Sequence, residues 1–356
     1  MLIIQSLTIE CSLVAGWIDL WLIFFNNYFI MKCLVTGASG FLGTNLVHEL
    51  VKNGWDVRTI VRPGSNTKYI ESLSIEIIYG DITNQPDLDK VCAGCDVVFH
   101  VAGDTSFWKR NFKKQRFINV EVPSMIAEAC IKNKVKRLVH TSTVDIFGCN
   151  PAGVADEKWT DYNFANTGYN YSDTKREGEK RVLAYNNKGL EVVVVYPGSM
   201  MGPYDFTLQY GRLFFELRDG KVPGCPAGGA SFGHVTEVAK AHITAAIKGI
   251  PGEGYICAGE NISYKELFDL IAAKFNKKAP GIIMKRWMLV TYGQILQFIS
   301  SFTGKAPEID PGNARYMSVN AWYDSSKAIK ELDYKLVPVQ QMINDAYIWY
   351  KENGFL

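Results

Sequence analysis

A chain of 356 residues with 38 Lys and Arg against 36 Asp and Glu carries a formal net charge of +2. That balance gives no electrostatic argument for nucleic acid or for an anionic membrane surface as a partner. With 47% hydrophobic and 21% charged residues the composition is that of a globular protein, long enough for one large α/β domain or for a main domain with a smaller lobe.

Residues 1–30 stand apart from the rest of the chain. The segment 13–30 is apolar and aromatic, but Asp19 interrupts it, and no Lys or Arg precedes Met31 to supply the basic start of a signal peptide. Its apolar runs are short for a membrane span. We read 1–30 as an extension upstream of a natural beginning at Met31; a loosely packed tail is the second reading and a membrane anchor the third. From Met31 onward, strands are expected near 32–36, 56–61, 75–79, 96–101, 136–142 and 191–196, and helices near 41–53, 85–92, 112–133 and 168–188. Short apolar strands alternating with longer helices imply βαβ units and a parallel, doubly wound sheet with helices on both faces. After Pro197 the pattern loosens, with Gly and Pro clustered at 197–203, 220–233 and 249–254. A strand is expected at Tyr255–Ala258, then a helix at 263–275 with Ser263 as N-cap, and further helices near 285–303, 324–332 and 338–352.

The first strand runs straight into Thr36-Gly37-Ala38-Ser39-Gly40-Phe41-Leu42-Gly43. Three glycines at spacing three, after a strand and at the start of a helix, make a tight turn that exposes backbone N–H groups at a helix N-terminus. The unpaired donors and the helix dipole both favour a pyrophosphate there. Gly37 permits the turn, Gly40 lets phosphates approach, and Gly43 lets the helix pack on the strand. Ser39, Phe41 and Leu42 belong to the same cradle.

Far downstream, Tyr171-Ser172-Asp173-Thr174-Lys175 places a Tyr and a Lys one helical turn apart. The pair follows the strand Leu138-Val139-His140, which ends in Thr141-Ser142-Thr143. With Gly80-Asp81-Ile82-Thr83, Val97 to Gly103 and Tyr196 to Pro203, the chain from 32 to about 350 resembles the extended branch of the short-chain dehydrogenase/reductase superfamily. That branch is also known as the NAD-dependent epimerase/dehydratase family, and the likeness is to its dihydroflavonol-reductase-like and 3β-hydroxysteroid-dehydrogenase-like members. The resemblance implies a Rossmann-type α/β domain over 31–200 and a smaller, mostly helical substrate lobe over 201–356, with strands returning to the sheet near Val235 and Tyr255.

Strand two ends in Val61-Arg62-Pro63, where NAD-binding versions of the turn usually carry an acid for the ribose 2′-hydroxyl. An Arg fork suits a 2′-phosphate, and Ser39 and Lys68 can add to the pocket. We therefore expect NADP(H), with NAD(H) as the alternative. The resemblance further implies that Asp81 and Ile82 hold the adenine, that Ala102 and Gly103 leave room for ribose and nicotinamide, and that Pro197 and Ser199 border the nicotinamide.

A free phenol has a pKa of about 10. An ammonium one turn away favours the tyrosinate, so Tyr171 is the expected acid/base, with its pKa lowered by Lys175. By resemblance Lys175 also holds the nicotinamide ribose, Thr143 steadies the substrate oxygen with Ser142 second, and Asn119 binds a water or kinks its helix. Tyr169 reads as pocket lining and His100 as a packed strand residue. The lobe is rich in aromatic and Met side chains (Tyr204, Phe206, Tyr210, Phe214, Phe215, Trp287, Met288), which points to an apolar carbonyl or alcohol substrate. A nucleotide-sugar epimerase or dehydratase is the alternative, and a non-catalytic dinucleotide sensor the second. Similar proteins dimerise through helices matching 112–133 and 168–188, so a homodimer is a further expectation.

No metal site is expected. Cys92-Ala93-Gly94-Cys95 has no second CxxC or His pair, and the eight cysteines show no disulfide framework, which suggests a reducing, cytoplasmic setting. The basic cluster Lys109, Arg110, Lys113, Lys114 and Arg116 reads as a solvated helix face.

Overall fold

Successive residues of the central strands part to opposite sides, and both sides are covered. Cys33, Val35, Phe99, Val139, Val193 and Val195 bury in one apolar cluster, while Leu34, Val98, Leu138, Val192 and Val194 bury in the other. Period-2 geometry with apolar residues at every position is the mark of a parallel sheet covered on both faces. The computed structural model describes residues 30–356. The extension read at 1–30 therefore lies, but for Ile30, outside the described residues.

The strands of this sheet are β1 (Lys32–Thr36), β2 (Asp56–Val61), β3 (Glu76–Tyr79), β4 (Val97–His100), β5 (Arg137–Thr141) and β6 (Glu191–Pro197), followed further along the chain by Gly254–Cys257. After β6 the chain passes through Gly198 into β7 (Ser199–Met201), then forms β8 (Cys225–Pro226) and β9 (Gly229–His234), so Gly254–Cys257 is β10. The central sheet has the order β10-β6-β5-β4-β1-β2-β3, and every pairing in it is parallel. The strand order reverses between β1 and β4, which opens a crevice at their carboxyl ends.

Helices α1 (Phe41–Lys52), α2 (Gln85–Cys92), α3 (Phe112–Arg116), α4 (Val122–Lys132) and α5 (Asn170–Leu183) follow in chain order, with a π turn over Phe117–Glu121 joining α3 to α4. The turn has a local cause. Pro123 lacks the N–H that would donate to the Asn119 carbonyl four residues back, so the helical ladder cannot close there. The freed carbonyl faces α5 at Gly178, where an added Cβ would sit 1.9 Å from Asn119 O. The Asn119 side chain also ties down the loop after β4: Nδ2 donates to the Asp104 carbonyl at 2.9 Å and Oδ1 accepts from the Asp104 amide at 2.9 Å.

The second half contains α6 (Gly211–Arg218), α7 (Val235–Lys248), α8 (Tyr264–Ala273), α9 (Arg286–Thr303), α10 (Pro311–Tyr316), α11 (Ser326–Leu332) and α12 (Val339–Glu352). Ser263 caps α8 as expected, and Glu266 completes a capping box. The return expected near Val235 differs from the sequence reading. Residues 229–234 form β9 in a separate sheet with β7, β11 (Glu260–Ser263) and β13 (Asn320–Ala321), while β12 (Ile283–Met284) pairs with β8. From Val235 the chain rejoins the main domain as a helix. Its Ala-rich face buries Val238, Ala241, Ala245 and Ala246 in the same cluster as α1. Only the return at β10 is a strand of the central sheet.

The α5–π-turn contact yields a stability prediction. Replacing Gly178 with Ala gains about 1 kcal/mol of helix propensity. It also drives a methyl into a backbone carbonyl, an overpacking cost of about 1–3 kcal/mol that outweighs the gain if α5 is held in place. The urea midpoint of Gly178→Ala is expected below that of the wild type; a midpoint at or above it would mean that α5 shifts freely.

Candidate active site

The glycine turn meets the end of β4 at the point where the strand order reverses. Gly37 adopts φ +75°, and a Cβ on it would lie 2.7 Å from the Ala102 amide nitrogen. A Cβ on Gly43 would lie 2.0 Å from the Gly37 carbonyl oxygen. Both positions exclude any side chain, so the turn can close only as written. Gly40 is the N-cap of α1 with no side-chain cap, and the first turn of the helix contains no acidic residue. The leading N–H groups of α1 are thus left for an anionic ligand, and the residues present fit the pyrophosphate of a dinucleotide.

One cavity of about 1410 Å³ gathers the residues expected from sequence. Its lining takes in Gly37, Ser39, Gly40, Phe41, Leu42, Gly43, Arg62, Asp81, Ile82, Ala102 and Gly103 at one end, and Thr143, Tyr171, Lys175, Pro197 and Ser199 toward the other. Ser142 borders it too; Lys68 does not, and its ammonium instead lies 5.3 Å from the Tyr69 ring centre. Arg62 and Ser65 border the cavity where β2 ends, and no carboxylate follows Val61 directly.

Thr143 follows β5 and caps a short 3-10 turn at Val144–Phe147, accepting from the Asp145 amide at 3.3 Å. Its hydroxyl also stands close enough to Tyr171 to act on the phenol. The Tyr171 phenol differs from expectation in one respect. Burial first, and the Asp145 carboxylate second, push its pKa above the ordinary value, while the Thr143 hydroxyl holds it down. The Lys175 side chain turns to the end of β5. Its ammonium donates to the Thr141 carbonyl at 2.6 Å, and burial pulls its own pKa down to about 8 with Glu179 opposing.

Lys175 stands among uncharged groups. His100 bonds Thr36 Oγ1 through Nδ1 at 2.8 Å, and His242 bonds Thr141 Oγ1 through Nε2 at 2.9 Å. Burial lowers His100 to about 3 and His242 to about 4, and lowers His140 as well. His100 is the packed strand residue the sequence suggested. One turn beyond Lys175, Glu179 accepts from the Tyr196 hydroxyl at 3.0 Å, and burial pushes its pKa up to about 7.

Sequence reasoning missed Asp145. Its Oδ2 accepts from the Tyr169 hydroxyl at 2.8 Å, and burial raises the pKa of the carboxyl while neighbouring Tyr and Thr hydroxyls oppose the rise. The available signal was a single acid inside the apolar run Val144-Asp145-Ile146-Phe147. Tyr169 is pocket lining, as expected, and also a donor to this carboxyl. The aromatic residues singled out in the lobe mostly serve its core: Phe214 is fully buried, Tyr204, Phe206 and Phe215 pack against that core, and Trp287 is exposed. Tyr210 alone of that set borders the cavity, where its hydroxyl donates to Ser199 at 2.7 Å; Phe107, Tyr264, Phe268 and Tyr316 supply the rest of the aromatic wall.

A parallel sheet with a glycine cradle at its reversal point, and a Tyr/Lys helix beside it, defines a dinucleotide-dependent enzyme of the Rossmann type. Residues 33–258 match the model of the NAD dependent epimerase/dehydratase family, and the chain belongs to that family, the extended short-chain dehydrogenase/reductases. It is similar to a putative dihydroflavonol 4-reductase of Synechocystis sp., 28% identical over 90% of this chain and 95% of the relative. It is also similar to the sterol demethylase protein B of Methylococcus capsulatus, 27% identical over 92% of this chain and all of the relative. Among solved structures, gox2253 superposes with a TM-score of 0.78 at 28% identity, over 91% of this chain and 98% of that one. A UDP-glucuronic acid 4-epimerase from Bacillus cereus, solved with NAD, shares the fold with a TM-score of 0.72 at 23% identity, over 91% of this chain and 100% of that one.

Glu179 yields a pH prediction. Between the ordinary carboxyl value of 4.5 and about 7, the folded protein holds a proton that the unfolded chain releases. Stability therefore falls as pH rises through that window. The buried histidines act in the opposite sense, but equally in wild type and variant. Thermal melts at both ends of the window should show Glu179→Gln gaining on the wild type as pH rises; parallel curves would mean that Glu179 is ionised throughout.

Proposed function

We propose that this protein is an NADP(H)-dependent reductase of an apolar ketone or aldehyde. The observation that carries the reading is the continuous cavity that joins the glycine cradle to Thr143, Tyr171 and Lys175. When bound, the cofactor supplies the hydride. Gly37, Gly40 and Gly43 hold its pyrophosphate, Asp81 and Ile82 its adenine, Arg62 with Ser39 its 2′-phosphate, and Lys175 its nicotinamide ribose. Pro197 and Ser199 border the nicotinamide.

Thr143 donates a hydrogen bond to the substrate oxygen, and Tyr171 delivers its proton there as the carbon is reduced. A phenol held protonated at neutral pH is the form that reduction needs at the start of a turnover. Once the proton has left, Lys175 on the same helix face stabilises the tyrosinate. Asp145 fixes Tyr169 and Thr143, which places the donor pair against a wall of apolar and aromatic groups. Arg212, the cation on the lobe side of the cavity, is already paired with Glu216 at 2.6 Å and with Glu308. The two curated relatives, one named for a dihydroflavonol and the other for a sterol, support the same reading.

Absorbance assays of NADPH consumption on apolar ketones and aldehydes test this. Tyr171→Phe is expected to lose about 10²–10⁴-fold in turnover while NADPH affinity holds. Binding without any consumption on that panel, with interconversion of sugar-nucleotide epimers instead, would establish an epimerase. Binding without either would leave a dinucleotide sensor. For cofactor choice, Arg62→Ala removes a charge-assisted contact of about 1.5–3 kcal/mol. That corresponds to a loss of about ten- to hundred-fold in NADPH affinity, with NADH affinity unchanged. Equal weakening of both dinucleotides would remove Arg62 from the 2′-phosphate site.

A further inference from the structure

Helix α9 has an uncovered apolar face. Residues 287–303 contain no charged side chain. One side of the helix packs inward through Leu289, Gly293 and Ser300. On the other side Trp287, Phe298 and Phe302 are 69%, 66% and 77% exposed, and Ile295 and Ile299 lie exposed in the same stripe. Spacings of eight, three and four residues from Trp287 through Ile295 and Phe298 to Phe302 put them along one line of the helix surface. A helix apolar all round is a buried helix, and large exposed apolar patches mark a binding surface.

The sequence that carries this face is one-sided in charge. From residue 270 to residue 307, 38 positions contain no Asp or Glu but six basic residues: Lys274, Lys277, Lys278, Lys285, Arg286 and Lys305. The basic cluster at 109–116 comes to the same edge, because the Arg110 guanidinium donates to the Ser301 carbonyl at 3.2 Å. Of that cluster Arg116 is taken up by Glu177. Glu308, the first acid beyond α9, is taken up by Arg212. Lys114, Glu308 and Ile309 line the cavity, so the segments that flank α9 and carry the basic cluster also reach its wall.

We propose that this side rests on an anionic lipid bilayer. The outer stripe of α9 enters the headgroup layer, while Lys285, Arg286, Lys305 and Arg110 meet the lipid phosphates around it. Apolar side chains on one face and cations at the borders are what an in-plane interfacial helix requires. No helix among the described residues is long and apolar enough to cross a membrane, and this arrangement needs none. The cavity would then lie beside the surface where an apolar substrate concentrates. The lipid contact itself does not depend on the reductase reading.

Flotation of the full-length protein with phosphatidylcholine vesicles, with and without phosphatidylglycerol, is the test. Wild type should float with the anionic vesicles only. The triple variant Trp287→Ser, Phe298→Ser, Phe302→Ser and the double variant Lys285→Glu, Arg286→Glu should each lose about ten-fold or more in vesicle affinity. Both variants should melt with the wild type and bind NADPH as it does, which separates lost docking from lost folding. Failure of the wild type to float, or flotation that survives the triple substitution, would overturn the proposal. So would sedimentation showing a lipid-free dimer that the triple variant abolishes, since the stripe would then be covered by a second copy. NADPH turnover is not a readout here, so failure of the lipid contact and failure of the reductase reading remain distinguishable.

Discussion

The close approach of two backbone turns governs this protein. Where the strand order reverses between β1 and β4, the Gly37 α-carbon stands against the Ala102 amide with no space for even a methyl group. That contact fixes how far the first helix sits from the sheet, and Gly43 repeats the constraint one turn later. The uncapped end of α1, the crevice beside it and the end of β5 that positions Thr143 all take their places from it. Dispersion and burial hold the layers together, but a steric exclusion sets their spacing.

The chemical end of the cavity rests on a second backbone approach. Pro123 withholds one N–H, the helix opens into a π turn, and α5 settles against the exposed Asn119 carbonyl through Gly178. Tyr171 and Lys175 lie on that helix, so a proline outside the cavity helps to place this pair. The electrostatics are equally spare. Lys175 is buried, yet its near neighbours are neutral histidines, a carbonyl and a carboxyl whose pKa is raised. A full counter-ion in that layer would bind the ammonium tightly and leave less of its field for a tyrosinate.

Much of this was legible in the sequence because it is local. The glycine spacing, the apolar strands and the Tyr–Lys interval each follow from neighbouring residues, and the elements of the first half begin and end within a few residues of where the pattern puts them. The misses have physical causes. The resemblance implied a strand returning near Val235, where instead β9 ends in the lobe sheet and α7 begins. The lobe sheet joins β7, β9, β11 and β13, short segments far apart in sequence, and no local pattern announces such pairing. Aromatic residues are equally at home in a core and in a pocket wall, so composition alone could not separate Phe214 from Phe268. The i,i+4 spacing put Tyr171 and Lys175 on one face, but the depth of burial and the Asp145 carboxyl, which set the phenol, are tertiary facts.

Gly198 carries a consequence for how the two halves can move. One residue separates β6, a strand of the central sheet, from β7, a strand of the lobe sheet, and a Cβ there would lie 2.7 Å from the Ser231 carbonyl oxygen. The lobe is thus welded to the sheet by a continuous, sterically pinned strand where a flexible linker would be needed for a hinge. This connection itself supplies no loop about which the lobe could swing as a rigid body. Where a wall is held in place in this way, complementarity with it decides what binds, and little ordering entropy is lost on binding.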